Sequence, residues 1–203
     1  PPKIRPLDSY DFHKSLIKSF SIEHTKQGLS LITGITGSGK STTLDAIVNY
    51  NNKLSNCHIT IIGDPIERVH TSKRAIVRHR EVGSDVNSFR DGAIQALRQD
   101  PDMVIIGEMR TPATIMRTLE LADTGHKVFT TLHTSSAIET IDRILDAVPE
   151  KAQSQVQARL ADVLDVIVSQ KLVPSTSGRL ILAKEILHMN SSIRAAIKND
   201  NTQ

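Results

Sequence analysis

The sequence predicts an α/β fold, a layered domain built on a mainly parallel central sheet. Three observations carry that reading. Short apolar runs of strand type alternate along the chain with segments of helical period. One of those runs, Met103-Val104-Ile105-Ile106, is apolar at every position, as a parallel strand covered on both faces requires. The first run, Leu29-Ser30-Leu31-Ile32-Thr33, opens directly into a glycine-rich turn that is followed by a helical pattern.

The elements follow in order. Residues 1–10 are rich in proline and read as an extended linker. Apolar residues at 12, 16, 17 and 20 give helical spacing from Phe12 to Phe20. After the strand Leu29–Thr33, a helix runs from Lys40 to about Leu54. Ile59–Ile62 is a second strand and Ala75–His79 a third. Residues 87–99 suit a helix with Ala93, Ile94 and Leu97 on one face, and Pro101 ends it. Beyond Met103–Ile106, Pro112 suits the first turn of a helix reaching Ala122. Lys127–Leu132 is a strand. Ser136 is placed to cap a helix that runs to Val148 and stops at Pro149. Lys151–Asp165 continues as helix. Val166–Val173 and Arg179–Ile186 bracket a turn at Pro174–Gly178 and read as an antiparallel hairpin. A short helix, Ser191–Lys198, follows.

Composition narrows the class. The 203 residues, 38% hydrophobic and 23% charged, are those of a globular domain rather than a disordered chain. A net charge of +3, from 25 basic and 22 acidic residues spread along the chain, gives no case for nucleic acid as the main ligand. Aromatic residues make up 3% and tryptophan is absent, which argues against a stacking platform for single strands and so against a DNA-handling ATPase. Cys57 is the only cysteine, so an intramolecular disulfide and a cysteine zinc knuckle are both excluded. There is no H-E-x-x-H spacing, and no zinc is expected. No apolar stretch reaches the length of a bilayer span. The start at Pro1, with no apolar leader, reads as a cytoplasmic domain cut from a longer protein.

The glycine-rich turn carries the chemistry. Gly34-Ile35-Thr36-Gly37-Ser38-Gly39-Lys40-Ser41 fits G-x-x-x-x-G-K-[ST] in full, with a strand before it and a helix after it. Glycines let the backbone curl so that successive N–H groups face phosphate oxygens, and the helix N-terminus adds partial positive charge. Lys40 is expected at the β- and γ-phosphates of ATP or ADP, the Ser41 hydroxyl on Mg²⁺, and Thr42 at the α-phosphate.

Acids at strand ends supply the second part. Glu108 follows the apolar run and Gly107, at the sheet edge where ligands of open α/β sheets bind, and is the candidate to orient the attacking water. Asp64-Pro65-Ile66-Glu67 follows the second strand; Asp64 and Glu67 are candidates for shaping the Mg²⁺ shell and its waters. Read alone, that segment fits a proline turn equally well. His126 and His133 flank the strand Lys127–Leu132, and His133-Thr134 stands where a γ-phosphate sensor could lie.

Together these segments resemble one family, the secretion and pilus motor ATPases. Residues 34–41 look like its phosphate loop, Asp64-Pro65-Ile66-Glu67 like its Asp box, Ile105-Ile106-Gly107-Glu108-Met109-Arg110 like its atypical Walker B segment, and Gly125-His126 to Leu132-His133-Thr134 like its His box. Within it, Ile141-Asp142-Arg143-Ile144, Ser169-Gln170-Lys171-Leu172 and Ser192-Ile193-Arg194-Ala195-Ala196-Ile197 are most similar to the type IV pilus retraction branch, the PilT family. The resemblance implies a RecA-like P-loop NTPase with a mainly parallel central sheet, a C-terminal β-hairpin and a helical appendage. It divides the chain into residues 1–27, a linker and first helix leading from a PAS-like N-terminal domain, and residues 28–203, the motor domain.

It implies a cytoplasmic homohexamer, peripheral to the inner membrane, that couples ATP hydrolysis to pilin depolymerisation through an inner-membrane platform protein. The counterpart of Glu108 is the catalytic glutamate, and those of His126 and His133 belong to the γ-phosphate network. The alternatives are a pilus-assembly or type II secretion ATPase, whose usual tetracysteine insertion one cysteine cannot supply, and a ring subunit that binds nucleotide without hydrolysing it. One departure favours the last of these. Gly63 stands where the Asp box usually begins with Glu, which implies one acid fewer near the metal and a backbone that accepts glutamate there without harm to the fold.

Overall fold

The computed structural model describes residues 3–176 and 178–199; the first two residues of the expected linker, one residue of the hairpin turn and the last four of the expected motor domain lie outside them. Among the described residues seven strands form one sheet: β1 (Gly28–Thr33), β2 (His58–Gly63), β3 (Ile76–Glu81), β4 (Met103–Ile106), β5 (Lys127–Leu132), β6 (Leu164–Pro174) and β7 (Leu180–His188). Their order is β3-β2-β4-β5-β1-β6-β7, and every pairing is parallel except β6 with β7. The strand leading to the phosphate loop is therefore separated from β4 by β5, the RecA-like arrangement the resemblance implies.

Among the described residues seven α-helices cover the sheet: α1 (Lys14–Phe20), α2 (Lys40–Leu54), α3 (Phe89–Leu97), α4 (Pro112–Asp123), α5 (Ala137–Asp146), α6 (Glu150–Val163) and α7 (Ser191–Lys198). Although β1, β4 and β5 are buried at every position, their side chains alternate between two cores. Leu29, Leu31, Val104, Ile106 and Val128 pack with Ala93, Ile115, Leu119, Ile144, Leu160 and Ile197 of α3 to α7. Ile32, Met103, Ile105 and Phe129 pack with Leu16, Phe20, Leu44 and Ile47 of α1 and α2.

Caps mark the helix starts. Ser88, Thr111, Ser136 and Asn190 each accept a hydrogen bond from a backbone N–H of the first turn they precede, and Pro112 occupies the first position of α4. The start of β6 is held differently, by an ion pair across β1. The Lys127 ammonium, fully buried, lies 2.8 Å from Asp165 Oδ2, and the register of β6 on β1 slips between Leu29 and Ser30, beside Asp165.

The boundaries differ from expectation in several places. Helix α6 ends at Val163, and Leu164 and Asp165 already belong to β6, where Asp165 is held by Lys127. Strand β3 runs to Glu81 rather than His79, because it lies at a sheet edge where Arg78 and Arg80 interrupt any apolar run. The segment expected to be extended turns through a 3₁₀ helix at Leu7–Tyr10 and joins the α1–α2 core. Leu7 and Phe12 are buried, and Phe12 stacks on Tyr10 and meets the edge of Phe20. Residues 7–22 thus pack as part of the same body as residues 28–199, and β7 fixes them further: Lys184 donates to the carbonyls of Tyr10 (2.9 Å) and Asp11 (2.6 Å).

Candidate nucleotide-binding site

The phosphate loop leaves β1 at Gly34. A Cβ there would lie 2.3 Å from the Gln170 carbonyl and 2.4 Å from Ser38 Oγ, and the residue sits at φ +146, so glycine alone fits. Gly39 turns the chain with φ 89 and ψ 17 into Lys40, the first residue of α2. Lys40 is 8% exposed, and its Nζ donates to the carbonyls of Gly34 (2.7 Å) and Ile35 (3.0 Å). Burial lowers its pKa from the ordinary lysine value. β6 braces the loop from the side. Ser169 Oγ and Thr33 Oγ1 share a hydrogen bond of 2.9 Å. Gln170 Nε2 donates to the Ser38 carbonyl at 2.9 Å, and Gln170 Oε1 accepts from Thr43 Oγ1 at 3.0 Å.

Because β1, β2, β4 and β5 are parallel, the segments after them open on one sheet edge. They enclose a cavity of about 550 Å³. Its walls are Thr36, Gly37 and Gly39 to Thr42 from the loop, Asp64 to Arg68 after β2, Gly107 and Glu108 after β4, and Thr131 and His133 at the end of β5. Gly107 is fixed on both sides: its N–H donates to the Ile62 carbonyl at 2.8 Å, and its carbonyl accepts from Thr131 Oγ1 at 2.7 Å. That pins the base of Glu108, whose Oε2 lies 3.1 Å from Arg110 Nε. Desolvation lowers the His133 pKa, as do the charges of Lys40 and Arg110, while Glu108 opposes them, so the imidazole is neutral at pH 7.

The Asp-box loop is clamped from below. Arg68 Nε lies 2.8 Å and His70 Nε2 2.9 Å from the two carboxylate oxygens of Asp45 on α2. The Ile66 N–H donates to Glu81 Oε2 at 3.0 Å. Glu81 is the cross-strand partner of Gly63, so an acid at this corner comes from β3. A Cβ on Gly63 would lie 2.7 Å from Ile66 Cδ1 and 3.1 Å from the Pro65 carbonyl. Glutamate therefore enters if the tip of Ile66 rotates away and the Pro65 carbonyl yields by a few tenths of an ångström.

The cavity thus gathers Thr36, Gly37, Gly39, Lys40, Ser41, Thr42, Asp64, Glu67, Glu108 and His133. Gly34 and Ser38 stand just behind it. Gly34 faces a smaller cleft of about 300 Å³ beside β6 and β7, and Ser38 is 2% exposed with its Oγ buried and without a hydrogen-bond partner among the described residues. His126 is a correction. It precedes β5 at the opposite end of the strand from His133, is 8% exposed, and its Nδ1 is engaged with Thr124 Oγ1 and the Leu121 carbonyl, both at 3.1 Å. A six-residue strand spans roughly 20 Å, so His126 does not reach the cavity. Asp45 and Thr131 were not singled out in the sequence, and Arg110 and Gln170 stood in motifs there without a role of their own. Asp45 lies one helical turn beyond Ser41, a signal that α2 alone could have given. The other three belong to elements whose pairing only the fold supplies. Ser41, Asp64, Glu67 and Glu108 line one cavity with oxygen atoms, the donor type Mg²⁺ prefers, while among the described residues no three carboxylates or imidazoles converge closely enough to hold an ion by themselves.

Comparisons with known proteins cover nearly the whole chain. The type II/IV secretion system protein model matches residues 6–200. The chain belongs to that family. The PilT pilus ATPase of Pseudomonas aeruginosa is 44% identical over 179 residues, 88% of this chain and 52% of that protein. The protein YggR of Escherichia coli, of uncharacterised function, is 38% identical over 188 residues, 92% of this chain and 56% of its own. A crystal structure of the pilus retraction motor PilT with bound ADP superposes on the whole chain with a TM-score of 0.93 at 43% identity, and the chain covers 58% of it. The chain thus spans about half the length of these family members. Among the described residues no helix is long and apolar enough to cross a membrane.

Proposed function

We propose that this chain is the ATP-hydrolysing motor domain of a type IV pilus retraction ATPase. In this reading it works as a cytoplasmic homohexamer against an inner-membrane platform protein and draws on ATP hydrolysis to depolymerise pilin. The observation that carries the reading is the convergence of the phosphate loop, Asp64, Glu67, Glu108 and His133 on one cavity at the C-terminal edge of the sheet. The likeness to a retraction motor that binds ADP supports the same assignment.

The residues divide the work. The loop N–H groups and Lys40 hold the β- and γ-phosphates, with Lys40 exchanging its two loop carbonyls for phosphate oxygens. Glu108, its base pinned through Gly107, orients a water in line with the γ-phosphorus and takes up its proton as the new P–O bond forms and the bond to the β-phosphate oxygen breaks. Neutral His133 can donate a hydrogen bond to a γ-phosphate oxygen without adding a full charge. Mg²⁺, held by Ser41 with Asp64 and Glu67 through its waters, would neutralise charge on the phosphate oxygens.

Two measurements test the reading. Glu108→Gln is expected to keep ATP affinity and lose at least about a hundredfold in phosphate release, the scale of general-base catalysis. In a piliated strain that lacks its retraction ATPase, the complete gene should restore twitching and the Glu108→Gln gene should not. Unchanged turnover would remove Glu108 from catalysis. Failure to restore twitching there, with piliation restored instead in a strain that lacks its assembly ATPase, would assign the protein to assembly.

A further inference from the structure

We infer that Gln170 is a positioning residue for nucleotide binding: its side-chain amide sets the curl of the phosphate loop from the neighbouring strand. The inference rests on the nucleotide reading above and names a component of that site outside the G-x-x-x-x-G-K-S pattern. Gln170 lies in β6, beside β1, and is 3% exposed. Both halves of its amide are used. Nε2 donates to the Ser38 carbonyl in the loop, and Oε1 accepts from Thr43 Oγ1 in the first turn of α2. One side chain therefore ties the loop to the helix that Lys40, Ser41 and Thr42 begin.

The geometry has a direct effect on phosphate contacts. In a trans peptide the C=O and the following N–H point in opposite directions. Drawing the Ser38 carbonyl toward β6 aims the Gly39 N–H away from β6, as a donor to a bound anion. Both ends of the loop also rest on the same residue. A Cβ at Gly34 would strike the Gln170 carbonyl at 2.3 Å, and one at Gly39 would lie 3.4 Å from Gln170 Nε2. The first contact is with the backbone of Gln170 and the second with its side chain, and only an amide of this length supplies both the donor for Ser38 and the acceptor for Thr43. Leucine offers neither donor nor acceptor, asparagine is one methylene shorter, and ionised glutamate keeps the acceptor for Thr43 but loses the donor for Ser38. Glutamate also sets a negative charge behind a loop that receives anions.

The test is calorimetry of ADP with the 203-residue chain, read beside its thermal melting without nucleotide. Gln170→Leu is expected to raise the ADP Kd about tenfold in protein that still melts cooperatively, the effect of roughly one hydrogen bond's worth of preorganisation. Thr43→Val, which loses only the helix-side bond, should raise it by less, and the double variant should be no weaker than Gln170→Leu alone. Gln170→Glu adds a readout that simple packing would not give. Its deficit relative to the parent chain should shrink as pH falls and the carboxyl regains a proton to donate. Should Gln170→Leu not fold, Gln170→Glu and Thr43→Val carry the same test. A folded Gln170→Leu or Gln170→Glu with parental ADP affinity, or a Gln170→Glu deficit that is flat with pH, overturns the inference. Failure of the parent chain to bind ADP overturns the nucleotide reading instead.

Discussion

Lys40 shows how much one side chain holds together. Its ammonium is nearly covered, its pKa is lowered by burial, and it spans the loop by bonding two carbonyls. Lys40→Ala removes the cation proposed to face the β/γ-phosphates, and with it the bridge that closes the loop. Charge-assisted hydrogen bonds contribute about 1.5–3 kcal/mol, so ADP affinity should fall by roughly ten- to a hundredfold, measurable by calorimetry. His133 offers a second test at this scale. Desolvation and the charges of Lys40 and Arg110 lower its pKa below the ordinary imidazole value, and Glu108 works against them. Nuclear magnetic resonance should find its titration midpoint below about 6.5. Removing the carboxylate with Glu108→Gln should lower it further, because the counter-charge that favours the protonated ring is gone. A midpoint that rises in the variant would contradict the arrangement. The linkage has a definite sign: the folded state prefers neutral His133, so its contribution to stability is present above the unfolded pKa and is lost as pH falls through the folded one.

Among the elements, those that read most clearly in the sequence are the ones with strong local chemistry. The phosphate-loop helix starts at Lys40, α4 starts at Pro112, and Ser136 caps α5, as their residue types require. The central strands were legible because each is a short run rich in apolar and β-branched residues. Pairing was not. Nothing local says that β5 lies between β1 and β4, or that β6 runs parallel to β1 and sends Gln170 into the loop, and hence that residue went without a role. Asp64, Glu67, Glu108 and His133 were legible as a site because strand ends in a parallel sheet share an edge. His126 was misread because a strand has two ends, and a residue flanking it can lie at either.

Arg194 in α7 shows the same limit. Its motif stands out in the sequence, yet its contacts are with the end of α6. The guanidinium donates to the carbonyls of Ala161, Asp162 and Leu164 (the last at 3.1 Å), where helical hydrogen bonding runs out. Arg194→Ala should lower stability by about 1–3 kcal/mol in denaturant unfolding and leave ADP affinity unchanged. A loss of nucleotide binding in the folded variant would mean that α7 acts on the site.

The whole molecule is one sheet between two unequal cores, with the cavity at one edge of the strands and the Lys127–Asp165 pair within the sheet beside β1. Its two lateral margins are unlike. β3 carries Arg78 and Arg80 and follows Lys73 and Arg74, and repulsion between such margins discourages strand-to-strand addition. β7 is guarded only along its middle, where Lys184 holds the residues before α1. Toward the hairpin turn, Leu180 and Ile181 are 65% and 54% exposed. The colloidal consequence is one-sided. In concentrated stocks the chain should associate through the hairpin tip, reversibly and more strongly as salt rises, independently of nucleotide. Static light scattering should give a negative second virial coefficient that turns positive in Ile181→Lys, and a coefficient indifferent to that change would place the adhesive surface elsewhere.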